Sequence, residues 1–446
     1  MFVFAIEEDE TALDITSALP RLRKEGSTVP NSHADEEWHR AEFWKRKEMQ
    51  YSALLQQVRS SSEIVSQAEK LRPGYTAQVL CPDTADDTLS GGQNVHFPVR
   101  FHDGEEWLAR IQHVDENAVL PAEMRKVIVQ SEVETVNSLH QAGVRVPRAW
   151  NANSHDSGLD YFFVERIHGY PGPLPLLGDF DPPLSTPKLH QHLIRSYAEW
   201  TLDIENLTVP AIGSLHPTPK GNQLGVLVTP AYHYSLHDPP YFPGPFATNR
   251  DRYCCVVQII LDDILAGTRY VNNPVAGYLY HLEIMALVKG CPEMARKEER
   301  HYVKHADDSG THVFVDQQGN VVGLIDWDWA YFTTKYEAFS PGVGFSEAFA
   351  EGNNTLSAAE LLLIEAYRDL KRPDLADCVV GGKKYQRLPL TIGWPLSLAL
   401  LWGLQTAFRG GEGARPVSLE AWVEMALTYY REDEGLKQLQ GTQARL

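Results

Sequence analysis

Polar and apolar positions change period several times along the chain. From Ser32, with Asp35 three residues on, a capping-box-like start opens a helical pattern that runs toward Leu71, where Pro73-Gly74 stops it. The period then drops to two. Val95, Phe97, Val99 and Phe101 alternate, Asp103-Gly104 turns the chain, and Trp107, Ala109 and Ile111 alternate again, which predicts a β-hairpin. Over 121–141 the pattern is helical once more, with Ile128, Val136 and Leu139 on one face. Glu132 lies on that same face, four residues from both Ile128 and Val136. A carboxylate on an apolar stripe needs a partner, because an unpaired buried charge is very costly. A further strand over 161–167 runs into the breaker His168-Gly169-Tyr170-Pro171-Gly172.

The remainder is longer and mostly helical in pattern, with helices expected at 190–205, 253–266, 276–289, 358–371, 396–408 and 419–430. Two proline-rich stretches, 171–187 and 210–245, supply loops. These patterns predict an N-terminal helical extension (1–75), a small strand-rich lobe (76–170) and a large helical lobe (171–446), hence an α+β, two-lobed fold.

Within the helical half sits one hairpin, HVFVD-QQGN-VVGLI, residues 312–325. With Asp316 and Val321 flanking the turn, Val313 faces Leu324, His312 faces Ile325 and Thr311 faces Asp326. The entry and exit of a hairpin lie at the same end. Asp307, just before the entry, and Asp326, at the exit, are therefore expected to be neighbours, with His312 beside them. Two carboxylates at one mouth suit phosphoryl transfer: one orients and deprotonates an acceptor hydroxyl, and the other holds the metal that bridges nucleotide phosphates. Asp is also common as a solvated turn residue, so the pair alone leaves both readings open.

Charge narrows the partners. Lys plus Arg total 40 against 59 Asp plus Glu, a formal net charge of −19. Such a surface repels nucleic acid and anionic membranes and favours cationic small molecules. The five cysteines form no metal-like spacing, which suggests reduced thiols and a cytoplasmic setting, and the acidic N-terminus makes a poor signal peptide. The uncharged stretch 388–408 is interrupted by Pro389, Gly393 and Pro395 and is expected to be a buried helix, not a membrane span. His301 and His305 stand four apart but lack a third ligand, and His305 is expected to anchor a loop; 295–300 (ARKEER) is expected to be a solvated helix face. Trp327 and Trp329 are expected to pack beneath the hairpin mouth.

His305-Ala306-Asp307, then His312, then Ile325-Asp326-Trp327-Asp328 resembles the signature of the aminoglycoside phosphotransferase and choline kinase-like family: His-x-Asp-x-x-x-x-Asn, a short hairpin, then Ile-Asp-Trp-Glu/Asp. The segments NVHFPVRFHDGEEWLARI, SEVETVNSLHQAGVRVPRAW and YFFVERIHGYPG resemble, in order, the family's nucleotide-covering strands, ion-pairing helix and hinge. The likeness covers about residues 90–330, more than half the chain. It implies a protein-kinase-like fold and an ATP-dependent phosphotransferase acting on a small-molecule hydroxyl, with Mg²⁺ as metal. It further implies Asp307 as catalytic base, Asp326 as principal metal ligand, Glu132 paired with Arg110, Gly91 and Gly92 over the phosphates, and main-chain groups of Glu165 and Ile167 for the adenine.

Two positions depart from that pattern. Arg110 stands where most of the family has Lys, and a planar guanidinium is not equivalent to an ammonium. His312 stands where the family has a metal-binding Asn. Mg²⁺ prefers oxygen, and imidazole suits Zn²⁺ and, to a lesser degree, Mn²⁺. A Mn²⁺-preferring kinase, a nucleotide-binding pseudokinase, or a metal enzyme of other chemistry built on His312, Asp307 and Asp326 all follow from that exchange.

Overall fold

The computed structural model describes residues 33–83, 89–90, 94–112, 121–152, 159–171, 187–219, 221–229, 242–307, 312–342, 345, 349–411 and 418–443. The fold is α+β. It divides into two compact units, Met1–Val119 with Ala152–Phe163, and Leu120–Asn151 with Val164–Leu446.

In the first unit the expected long helix is two helices, α1 (His33–Ser60) and α2 (Glu63–Leu71). The interruption falls at the serine run 60–62, where the Ser61 hydroxyl accepts the Glu63 N–H at 3.1 Å and competes with helical bonding. An antiparallel sheet follows: β1 (Ala77–Val79) pairs β3 (Asn94–Phe101), β2 (Leu89–Ser90) also pairs β3, and β3 pairs β4 (Glu106–Gln112). The expected alternation sets the register, Val95↔Ile111 through Val99↔Trp107. Val95, Phe97, Val99 and Phe101 are all buried, and the Trp107 ring stands edge-on to Phe101 at 4.7 Å.

The second unit is mainly helical, with three small sheets among the described residues. Helix α3 (Ala122–Gln141) belongs here and not with the strands of the first unit, although 121–141 falls inside the expected 76–170 lobe. Its apolar residues Met124 and Ile128 enter the same core as Tyr253, Val257 and Leu279. Strands β5 (Ala149–Asn151) and β6 (Tyr161–Glu165), the latter with Tyr161–Phe163 counted in the first unit, extend the sheet in the order β1-β3-β4-β6-β5. Then come β7 (Tyr170–Pro171), α4 (Pro187–Asp203) and β8 (Thr208–Val209). A β9 (Ser214–Thr218)–β10 (Gly221–Gly225) hairpin arises inside the expected proline-rich loop.

Helices α5 (Asn249–Leu265) and α6 (Pro274–Gly290) pack together and bury Ile260, Ile264, Leu279, Ile284 and Val288. Strand β11 (His301–Lys304) lies between β8 and β14 (Tyr331–Thr333). The predicted hairpin is β12 (Val313–Val315) with β13 (Val321–Leu324); β7 pairs the other edge of β12. Helices α7 (Lys335–Ala338), α8 (Ala358–Asp369), α9 (Pro373–Val380), α10 (Lys383–Thr391), α11 (Leu398–Arg409), α12 (Leu419–Tyr429) and α13 (Glu434–Gln443) complete it.

Three expectations change. The uncharged stretch 388–408 is not one helix: α10 ends at Thr391, Gly393 takes a left-handed φ of 79°, and Ser397 caps α11 by accepting the Leu400 N–H. Residues 296–300 are solvated but not helical, the last turn there being Glu293–Ala295. His301 is on a strand, so the four-residue spacing to His305 does not place both rings on one helix face. Among the described residues no helix is long and apolar enough to cross a membrane.

Candidate active site

Strand pairing builds the hairpin mouth as the pattern requires. Val313 faces Leu324 and Phe314 faces Gly323, and the Ile325 N–H donates to the His312 carbonyl at 3.0 Å. A bulge between Phe314 and Val315 shifts the register toward the turn, where Val315 faces Val321; it leaves the mouth in phase. Beneath, the His305 Nε2–H donates to the Ile325 carbonyl at 2.9 Å, which ties the segment before the hairpin to its exit. Trp327 is buried, donates its indole N–H to the Leu324 carbonyl at 3.1 Å, and lies 4.8 Å from the His305 ring. Trp329 is buried too, in the core with Tyr253 and Leu279, and Asp326 and Asp328 alternate with the two tryptophans as half-buried groups.

Asp326 has a φ of 63°, a left-handed backbone that Asp tolerates better than most residues. Its Oδ2 lies 3.4 Å from His312 Nε2. The other ring nitrogen is fixed: Nδ1 sits 2.9 Å from the Asp307 carbonyl oxygen, which can only accept, so Nδ1 carries the proton. In the neutral ring Nε2 then holds a lone pair and faces a carboxylate oxygen. Two lone pairs at that distance call for a cation between them, a proton or a metal ion.

Ligand atoms of Asp307, His312 and Asp326 lie within 4.8 Å of one another, and so do those of Glu132, Asp326 and Asp328. Asp326 belongs to both groups. Glu132 is 6% exposed, so the carboxylate on the apolar face of α3 is buried as its position predicts. Asp328 carried no assigned role in the sequence; its spacing of two from Asp326, across a buried Trp, was the available signal.

Each of the remaining predicted residues has local contacts of its own. Arg110, on β4 of the first unit, is buried, faces His96 across the strand pair with NH1 to Nε2 at 3.3 Å, and stands 5.9 Å from the Phe162 ring centre. His96 is a neighbour that alternation alone did not single out. The Glu165 N–H donates to the Arg148 carbonyl at 2.8 Å, and its carboxylate accepts the Arg148 N–H at 3.1 Å. Ile167 lies against Gly323 of β13, where a Cβ would meet Ile167 Cδ1 at 2.7 Å. Gly91 and Gly92 lie outside the described residues.

No family model matches the chain, and no curated protein sequence does. Solved structures do. The chain is similar to an ethanolamine kinase of Plasmodium vivax at 11% identity, over 81% of this chain and 84% of that one, with a TM-score of 0.43. It is also similar to a thermostable mutant of the aminoglycoside phosphotransferase APH(4)-Ia in ternary complex with AMP-PNP and hygromycin B, at 15% identity over 79% and 100% of the two chains, TM-score 0.42. A macrolide 2'-phosphotransferase, MphH from Brachybacterium faecium, matches at 11% identity over 79% and 100%, TM-score 0.35. At these identities and scores the likeness carries neither activity nor substrate to this chain.

Proposed function

We propose that this protein is an ATP-dependent phosphotransferase that acts on the hydroxyl of a small molecule. The observation that carries the reading is the convergence of Asp307, His312 and Asp326 within 4.8 Å at one hairpin mouth. That donor set, two carboxylates and an imidazole with its lone pair on Nε2, fits a divalent cation of mixed oxygen and nitrogen preference such as Mn²⁺, and less well one that wants oxygen alone such as Mg²⁺. When bound with nucleotide, such an ion neutralises the phosphate charge.

Asp326 and His312 would hold the ion, and the Asp307 carbonyl keeps the imidazole in the ligating tautomer. The Asp307 carboxylate orients the acceptor hydroxyl and takes its proton. By the family resemblance Arg110, Gly91 and Gly92 would contact the phosphates. Ile167 presents main-chain groups to the base; the Glu165 N–H is already donated to Arg148, so Glu165 contributes its carbonyl. The net charge of −19 favours a cationic acceptor.

The test is product formation by purified protein from ATP and a panel of small alcohols and amino alcohols, with Mg²⁺ or Mn²⁺, beside Asp307→Asn. Phosphoester formed by the wild type and lost in the variant supports the reading. Metal-dependent ATP binding with no ATP consumed by either protein would show a nucleotide-binding pseudokinase instead. Tight Zn²⁺ binding without nucleotide would indicate other metal chemistry.

A further inference from the structure

Helix α3 brings Glu132 to Asp326 and Asp328, and the second unit ties that helix down on faces that do not touch the mouth. One tie is lateral. Asn222, in the β9–β10 hairpin, donates its side-chain N–H to Ser138 Oγ at 2.8 Å, and its amide also bonds the Glu134 carboxylate. At about 100° per residue, Glu134 and Ser138 point about 200° and 240° away from Glu132. The hairpin therefore holds the helix from behind and fixes its rotation about its own axis.

The other tie is axial. Beyond the end of α3, Arg145 donates from NH1 to the Val321 carbonyl at 2.8 Å and pairs through Nε with Asp203 at 3.2 Å. The Arg145 carbonyl accepts the Trp200 indole N–H at 3.0 Å. Asn137 clasps Ala149 in both directions, at 2.8 and 3.1 Å, which closes the intervening loop. Val321 opens β13, the strand that ends two residues before Asp326. A continuous run of bonded groups thus joins the Glu132 helix to the strand that delivers Asp326.

We infer that Arg145 and Asn222 are positioning residues that set the rotation and height of α3, so that Glu132 stays in register with Asp326 and Asp328. The inference rests on the proposed function, in which Asp326 holds the ion, and adds Glu132 and Asp328 as carboxylates close enough to share it. Neither residue touches the mouth, the Arg145 side chain is 40% exposed, and Asn222 is exposed, so replacing them empties no core.

The experiment measures the Mn²⁺ concentration for half-maximal effect in two ways on the ATP-bound protein: thermal stabilisation, and rate of phosphoryl transfer. Arg145→Ala should raise it about tenfold, the size of a lost charge-assisted bond, with the rate at saturating Mn²⁺ within about threefold of wild type. Arg145→Lys should recover part of the loss, since an ammonium can bond Val321 or Asp203 but cannot fork to both. Ser138→Ala with Asn222→Ala should raise it about threefold, as for a neutral hydrogen bond. If these variants lower the melting temperature but leave Mn²⁺ half-saturation within about twofold, while Glu132→Gln weakens it, the ties are structural only; positioning is overturned and the proposed function stands. If Glu132→Gln and Asp326→Asn also leave it unchanged, the proposed function itself is overturned.

Discussion

Two histidines of the second unit hold the same tautomer and live in opposite surroundings. His281, in α6, is fully buried; its Nδ1–H donates to the Gly277 carbonyl at 2.7 Å and its Nε2 accepts the Gly393 N–H at 3.0 Å. His312 also donates from Nδ1 to a carbonyl, that of Asp307, but its Nε2 faces the Asp326 carboxylate. The carboxylates differ in the same way. Glu337 accepts at 2.7–2.8 Å from Arg252, Tyr253, Tyr331 and Thr333, all buried. Burial alone would raise its pKa, yet the Arg252 guanidinium and the three hydroxyls hold it below the usual carboxylate range. Both ring nitrogens of His281 and both carboxylate oxygens of Glu337 are thus met by protein partners. At the hairpin mouth the ligand atoms of Asp307, His312 and Asp326 instead lie within 4.8 Å of one another, the convergence on which the proposed metal role rests.

If the mouth is chemical and the core structural, substitutions should separate cleanly. Asp307→Asn should retain ATP binding and lose transfer by roughly a hundred- to ten-thousand-fold, read by steady-state rates beside nucleotide titration. Equal loss of binding and turnover would move Asp307 into a structural or ligand role. Glu337→Gln should do the reverse. It leaves Arg252 uncompensated in the core and should cost about 3–5 kcal/mol of stability in denaturant unfolding, while activity per folded molecule stays near wild type.

Acid sharpens the contrast further. Burial depresses His281 to about 4, below the ordinary 6.5. A depressed folded value means the unfolded chain binds more protons between those limits. The His281 contribution is therefore fully present above about pH 6.5 and is lost as pH falls toward 4, up to about 3 kcal/mol in all. Unfolding followed across that window should show the slope in wild type and lose it in His281→Gln. The smallest effect expected is at His312. Its change to Asn should shift the preference between Mn²⁺ and Mg²⁺ toward Mg²⁺ by a few-fold, because an amide oxygen replaces a ring nitrogen.

What could be read from the chain was local and periodic. The β3–β4 and β12–β13 hairpins announced themselves through alternation and a Gly-containing turn, and the mouth followed from their register. The bulge at Phe314–Val315 did not, because it alters pairing without altering composition. Helix α9 was missed because eight residues hold barely two turns of pattern, and α10 because its buried positions are partly charged. Lys383 is buried against Glu360 at 2.6 Å, and Arg387 is buried among the carbonyls of Phe349 and Asn353 and the Asn354 amide, so a period of apolar residues never shows. The β8–β11–β14 sheet was missed because strands of two to four residues, paired across long stretches of chain, leave almost no pattern. The β9–β10 hairpin was hidden inside a proline-rich run.

The most direct test of the central claim, that the hairpin mouth is a metal site working with nucleotide, is thermal unfolding of wild type and Asp326→Asn with ATP and each of Mg²⁺, Mn²⁺ and Zn²⁺. Ligands of the native state raise its stability in proportion to the logarithm of their saturation. The wild type should be stabilised most by ATP with Mn²⁺, less by ATP with Mg²⁺ and least by either component alone, and Asp326→Asn should lose the metal-dependent part. Equal stabilisation of both proteins by ATP and metal would contradict it.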